Sequence, residues 1–348
     1  MVRTAGGSSV SGGSQAGGGT AAAATTRPGA WPRSSGAGLY CPTKSSRDAE
    51  AHVGHCDERS FHAPLSARGS RNGRERGHLE IQRRETIEAS EAALEQLLER
   101  RLDDKDFLVI YIDGLHCGDH CVIGAVGVDT EGHKRVPGIQ EGATENGAAC
   151  RDLLQNLVER GLDPKLERLF VIDGSKALRS AIHAVFGAQA PVQRCRHHKL
   201  QNVVERLPRE QQEQTRSLIR AAWKLDAKDG MARLRKLAEW LREDYPDAAG
   251  SLLEGMEECF TINRLKVPPW LHRCLATSNL IESSQSGVRM RIRRVCRWRA
   301  PMPARWVAAS FLATEKNFRR LMGYRDLWAL KAILRGEKDM PGNVKQVA

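Results

Sequence analysis

The chain has 348 residues, with 54 Lys and Arg against 42 Asp and Glu and a formal net charge of +12. That length holds one or two domains with a real core. The cationic excess favours a polyanionic partner, most commonly nucleic acid, over a purely solubilising role. No apolar stretch approaches the roughly 20 residues that cross a bilayer, and no apolar core of the signal-peptide type is present near the start. The nine scattered cysteines do not read as a disulfide framework, so a cytosolic, nucleoid-associated protein with mostly reduced thiols is expected.

Residues 1–78 stand apart. Positions 6–26 are nearly all Gly, Ser, Ala, Thr and Gln, and Pro, Arg and Gly then recur up to Gly77. Such a composition buries too little apolar surface to offset its ordering entropy, so disorder is expected. Residues 85–102 place Ile87, Leu94, Leu98 and Leu102 on one stripe, widened by Leu97, which predicts an amphipathic helix. Residues 107–112 read as a buried strand ending at Asp113-Gly114, 121–128 as a second and 133–140 as a third, with Glu131-Gly132 as the turn. Acids and glycines at 138–147 predict a loop. A helix at 148–160 stops at Gly161.

A fourth strand at 169–172 ends at Asp173-Gly174, a helix follows at 175–186, and 191–195 reads as a fifth strand. From 196 to about 253 the pattern is helix after helix, with Trp223, Leu225, Met231, Leu234, Leu237, Trp240 and Leu241 supplying apolar faces. Val267-Pro268-Pro269-Trp270 breaks that block. The helix that carries Glu282 comes next, then two more at 303–320 and 324–335, then a loose tail after Gly336.

The chemistry gathers on three acids. Asp113 and Asp173 each end an apolar run and each stand in an Ile-Asp-Gly triplet. If their strands lie side by side, both carboxylates leave the same sheet edge, and two close anions repel unless cations lie between them. Mg²⁺ (or Mn²⁺) suits such oxygen ligands. Glu282, on a helix, would complete the set, and two metals in such a site support in-line displacement at phosphorus. Arg289 and Arg293, seven and eleven residues on, share the helix face of Glu282. With Arg291, Arg294 and Arg297 they are candidate phosphate contacts, Arg299 extends the charge, and Trp298 has room to stack or pack. Each signal has an ordinary counterpart. Asp-Gly is a common turn dipeptide, Asn279 and Glu282 have capping-box spacing, and a basic helix face is often only solvated. Strands, a helix, a further strand and acids at strand ends describe an α/β fold, a ribonuclease-H-like mixed sheet with flanking helices.

The motifs Ile112-Asp113-Gly114, Gly124-Ala125-Val126-Gly127-Val128, Glu141-Gly142-Ala143-Thr144-Glu145-Asn146, Phe170-Val171-Ile172-Asp173-Gly174-Ser175, Val192-Gln193-Arg194-Cys195-Arg196-His197-His198 and Thr277-Ser278-Asn279-Leu280-Ile281-Glu282-Ser283 resemble those of Mutator-type transposases, the DDE enzymes of bacterial insertion sequences. The resemblance covers about residues 85–334. It implies that Asp113, Asp173 and Glu282 are catalytic metal ligands and that an all-helical insertion at 196–274 precedes the last of them. Residues 79–195 and 275–336 would then be the two parts of the core, with 337–348 a tail. It implies nicking of element ends and transfer of the cut strands into target DNA, by a homo-oligomer on double-stranded DNA. Cys195 and His198 match the family's Cys-x-x-His pattern; two ligands are half a zinc site, so a positioning role is expected of them, as of Asn279. His116-Cys117 and His120-Cys121 match nothing in the family and read as incidental composition, with a zinc or redox patch as the alternative. The family's N-terminal helix-turn-helix has no counterpart in 1–78. A nuclease without strand transfer and a DNA-binding remnant therefore stay open as other readings.

Overall fold

The fold grows around the strand that begins at Phe107. A computed structural model describes residues 73–142 and 146–336, with side chains from residue 84 onward. The low-complexity stretch up to residue 72, the motif residues Ala143, Thr144 and Glu145, and the tail from 337 lie outside the described residues.

In chain order, α1 (Gly73–Leu98) leads into the hairpin strands β1 (Phe107–Cys117), β2 (His120–Asp129) and β3 (Lys134–Gly142). Then come α2 (Gly147–Glu159), β4 (Leu169–Ile172), α3 (Lys176–Phe186) and β5 (Val192–Arg194). The helical block follows as α4 (Arg196–Val204), α5 (Arg209–Ala222), α6 (Ala227–Arg242) and α7 (Pro246–Leu253). Two short helices, α8 (Thr261–Arg264) and α9 (His272–Leu275), flank the Pro-Pro break, and the chain closes with α10 (Asn279–Ile292), α11 (Met302–Glu315) and α12 (Leu327–Arg335).

The strands form one mixed sheet in the order β3-β2-β1-β4-β5. β1 pairs antiparallel with β2, and β2 with β3; β1 pairs parallel with β4, and β4 with β5. Phe107 through Ile112 are all buried, as a central strand covered on both faces must be. Side chains alternate between two apolar layers. Val109, Tyr111, Leu115, Leu169 and Val171 join one layer with Ile281, Val288 and Phe311 from α10 and α11. Ile110, Ile112, Phe170 and Ile172 join the other with Leu153 and Ile182 from α2 and α3. The molecule is thus a mixed α/β protein, its sheet flanked by helices. The block α4–α7 has a third apolar cluster of its own around Trp223, Leu234, Leu241 and Phe260.

Several local expectations need correction. α1 begins at Gly73, inside the stretch expected to be disordered. It ends at Leu98, so Leu102 is buried by a loop rather than by the helix, and Ile87 and Leu98 are exposed. The face turned inward is Ser90, Ala93, Leu94 and Leu97, one helical period apart. β1 does not end at Ile112: it runs to Cys117, because pairing with β2 continues through Asp113↔Gly124 to Cys117↔His120. β3 likewise extends to Gly142, into the expected loop. In the helical block, Leu225 and Trp240 are exposed, while Trp223, Leu234, Leu237 and Leu241 carry the packing.

β5 is bolted to the helical block by polar side chains. Thr261 Oγ1 donates to Val192 O at 2.6 Å, Gln193 accepts from Ile262 N–H at 3.1 Å and donates to Cys259 O at 3.2 Å. The Arg196 guanidinium donates to Cys259 O at 2.9 Å and to Asn263 Oδ1, and lies over the Trp223 and Phe260 rings. Arg194 reaches Glu254 O and its carboxylate, and Lys199 Nζ donates to Ser251 O and Glu254 O. Buried cations are costly unless bonded, and of these three only Arg194 keeps a buried nitrogen, Nε, without a partner.

Candidate functional site at the sheet edge

The parallel pairing fixes the first two acids. Ile112 is the register partner of Ile172, and Ile172 of Arg194. One residue further on, Asp113, Asp173 and Cys195 therefore stand in a row across three neighbouring strands, spaced by about 4.8 Å per strand. Alternation puts all three on the face that α10 and α11 cover, since Tyr111 and Val171, two residues earlier, belong to that layer. α10 carries Glu282 over the same face. Asp113, Asp173 and Glu282 are all half-buried.

The ordinary readings of these acids divide. Asp113-Gly114 is not a turn, because Gly114 pairs with Ile123 in the middle of β1. Asp113 sits where β4 stops and β1 continues. Asp173-Gly174 is a turn: Asp173 Oδ1 accepts from Ser175 N–H at 2.9 Å, and Gly174 has φ +125°. A Cβ there would lie 2.4 Å from Arg194 Nε, so the position requires glycine twice over. The capping box from Asn279 does not form. Ser278 is the N-cap, and its hydroxyl donates to Glu282 Oε1 at 2.5 Å. Asn279 is exposed and does not join this cluster.

Cys195, His198 and Glu282 do come together. Among the described residues they form the grouping of three potential metal ligands whose donor atoms all lie within 4.8 Å of one another. Asp113 and Asp173 are not drawn that close to it. His198 Nε2 lies 3.8 Å from Glu282 Oε1 and its Nδ1 lies 3.4 Å from Ser278 Oγ. Cys195 Sγ accepts from Ser278 N–H at 3.3 Å. The imidazolium of His198 is held up to about 9, first by its hydrogen bond with Cys195, against burial, and then by the negative charge of Cys195, Glu282 and Asp173. Burial pushes the Cys195 thiol up most, yet its bonds with His198 and Ser278 outweigh that and hold it low. Asp173 is therefore within electrostatic reach of the same imidazole that contacts Glu282.

Ser278 and Gln285 are residues that sequence reasoning did not assign. Ser278 lies four residues before Glu282 and Gln285 three after it, spacings that share one helix face. Gln285 is fully buried, donates to Gly114 O at 3.4 Å and accepts from Arg289 Nη2 at 3.1 Å. It joins α10 to β1 beside Asp113. Arg289, Arg291, Arg293, Arg294 and Arg297 are all exposed, Arg291 bonding Gly287 O and Thr314 Oγ1. Trp298 packs against the core and over Gly118.

His116, Cys117, His120 and Cys121 do not form a comparable ligand set among the described residues. His116 is exposed, His120 Nδ1 lies 3.0 Å from Glu141, and burial pushes the Cys117 thiol up to about 11. Glu141 also accepts from Ala304 N–H in the first turn of α11. No helix among the described residues is long and apolar enough to cross a membrane.

Fold and site together define an α/β protein with an acidic sheet edge set against a cationic helix. Comparison with known sequences narrows that class. The family described as "Transposase, Mutator family" matches residues 85–314, well over half of the chain, and this chain belongs to it. It is similar to the transposase for insertion sequence element IS6120 of Mycolicibacterium smegmatis, 26% identical over 55% of this chain and 60% of that protein. It is similar to the transposase for IST2 of Acidithiobacillus ferrooxidans, 28% identical over 51% of this chain and 60% of that protein. It is 31% identical to the transposase for ISRM5 of Rhizobium meliloti (strain 1021), over 49% of this chain and 42% of that protein. The chain thus spans about 60% or less of the length of these relatives.

Proposed function

We propose that this chain is a DDE-type DNA transposase that cuts DNA at the ends of an insertion sequence and transfers the cut strands into target DNA. The observation that carries the reading is the register of β1 and β4, which sets Asp113 and Asp173 side by side under the helix that bears Glu282. Family membership supports it. The sheet order, with three antiparallel strands followed by two parallel ones, fits a ribonuclease-H-like core. The helices from Arg196 onward then occupy the place of an insertion before Glu282.

Three half-buried carboxylates offer hard oxygen donors, which fit Mg²⁺ or Mn²⁺ better than the sulfur and imidazole of Cys195 and His198 do. Asp113, Asp173 and Glu282 would hold such ions, which would polarise the attacking oxygen and stabilise the leaving one. The chain's own residues do the rest. Ser278 and His198 orient the Glu282 carboxylate. Cys195 and His198 are engaged with each other, so we assign them to positioning. Gln285 sets the spacing of α10 from β1. Arg289 and Arg293, with Arg291, Arg294 and Arg297 around them, grip phosphates beside the acids.

The test is a duplex carrying the element's terminal repeats, incubated with Mg²⁺ and a supercoiled target. Labelled ends that are cut and joined to the target are expected. Ends cut but never joined would reduce the reading to a nuclease, and binding without cutting in either metal would end it.

A further inference from the structure

A second cationic surface lies on another side of α10. A groove of about 590 Å³ runs between the start of β3 and the end of α11, and it continues into one of about 450 Å³, the two sharing Lys134, Phe318 and Arg319. Lys134, Arg135, Arg273, Lys316, Arg319 and Arg320 line the pair. Among the described residues none of these six forms an ion pair. The one acid in the lining, Glu315, is neutralised by Arg100 at 2.9 Å. All of the six but Lys134 are exposed. Arg320 bonds His133 Nε2 at 3.1 Å and lies over the Tyr324 ring; among the described residues the groove cations are not bonded to carboxylates, unlike Arg100 beside them.

The groove reaches the helix that bears Glu282, although none of the three acids lines it. Its far end is lined by Thr277, Asn279, Leu280 and Ser283, at the start of the helix that carries Glu282. At 3.6 residues per turn, Asn279, Ser283 and Leu280 lie about 60–160° around α10 from Glu282, whereas Arg289 and Arg293 lie within about 20° of it. Two separate cationic surfaces therefore lie on different sides of the helix that bears Glu282. Strand transfer brings two duplexes to one site, and a single duplex does not need both surfaces.

We propose that this groove binds a second DNA duplex, the target, through its phosphate backbone, while the arginines from Arg289 onward hold the first. The proposal rests on the transposase reading above. It also assigns Asn279 to the wall of the target groove rather than to the acids.

The test counts duplexes without metal, so that it does not depend on catalysis. Two short duplexes with different fluorophores are titrated against the full chain at low ionic strength, and each bound duplex is counted per protomer. The unchanged chain is expected to hold two. Lys316→Glu with Arg319→Glu should hold one, as should Arg289→Glu with Arg293→Glu, and the fourfold variant should lose both. For the duplex whose surface is altered, the slope of log K against log salt should fall by about 1 for each cation removed. Arg135→Glu, on β3, repeats the groove test from another element, and melting curves check folding. One duplex per protomer in the unchanged chain, or groove variants with unaltered count and salt slope, would overturn the proposal. Loss of metal-dependent cleavage with the count intact would instead strike the transposase reading alone.

Discussion

Two clusters of charge, one where the helical block packs on β5 and one at the edge of the same sheet, have opposite fates. On the helical-block side, Arg194, Arg196 and Lys199 are buried, and every one donates to backbone carbonyls. On the sheet-edge side, Asp113, Asp173 and Glu282 are half-buried. Burial lowers Arg196 to about 10 and Lys199 to about 8. His198, across the strand end, is raised to about 9. Charge density alone does not separate structure from function here. What separates them is whether the side chain is buried and held by backbone carbonyls or stands half-buried at the sheet edge.

The comparison breaks most visibly at the acids. Asp113→Asn, Asp173→Asn and Glu282→Gln are each expected to lower Mg²⁺-dependent cleavage by about a thousandfold or more, since several kcal/mol of metal-derived stabilisation is lost. Melting temperatures should stay nearly unchanged, because no carboxylate here supports the core. Gel assays of labelled ends, paired with thermal melts, check both halves. Full activity in any of the three variants would remove that acid from the chemistry.

Arg196→Met should do the reverse. It leaves Asn263 Oδ1 without its Arg196 donor and Cys259 O with Gln193 alone, and loosens the packing on Trp223 and Phe260. A cost of about 3 kcal/mol is expected, which lowers the melting temperature by roughly 4–6 °C in a protein of this size. Activity below the new transition should persist. A variant that melts normally but no longer cuts DNA would move Arg196 across the divide.

The two clusters also differ in the sign of their pH dependence. Lys199 titrates near 8 when folded, against an ordinary 10.5. Its contribution is full above that ordinary value and is lost as pH falls through about 8. His198 titrates near 9 against 6.5. Its contribution is full below pH 6.5 and is lost as pH rises through about 9. Urea unfolding across this range should show that Lys199→Met removes a rise of about 2 kcal/mol. His198→Gln should remove a smaller fall, because that imidazole is more exposed and screened. Cys195, held low, works against the His198 trend, so Cys195→Ser is the companion variant.

Much of the sheet and its acids was legible, because apolar runs and Ile-Asp-Gly triplets are local signals. The five strands fall near their expected positions, and Asp113 and Asp173 share an edge. What the sequence hid depends on neighbours far along the chain. Cys195 joins the acid row only because β5 pairs with β4. The helix start was misplaced by one residue: Asn279 had capping spacing, but Ser278 is the N-cap and reaches Glu282 from the preceding turn. The groove cations are drawn from positions as separate as Lys134 and Arg319, which no periodicity links. Arg194 and Arg196 stand in the motif before the helical block, and only their carbonyl partners show that they hold the block to the sheet.

Gln285 tests the boundary between the two clusters, since it is buried like the structural group yet lies beside the acids. Its amide donates to Gly114 O, the carbonyl directly after Asp113, and its carbonyl oxygen accepts from Arg289. Gln285→Met keeps the volume and removes both bonds. The 3.4 Å contact to Gly114 O is long, so the stability loss should be small, about 1 kcal/mol. Cleavage should fall by about tenfold, because the spacing between the Glu282 helix and β1 loosens and small misplacements of catalytic groups are costly. DNA affinity should fall slightly, with Arg289 less well directed. The diagnostic is the ratio of the effects. A loss of cleavage as large as that of Asp113→Asn would mean that Gln285 takes part in the chemistry. A loss of stability with cleavage intact would place it with Arg196, and the division between the clusters would then run along α10 itself.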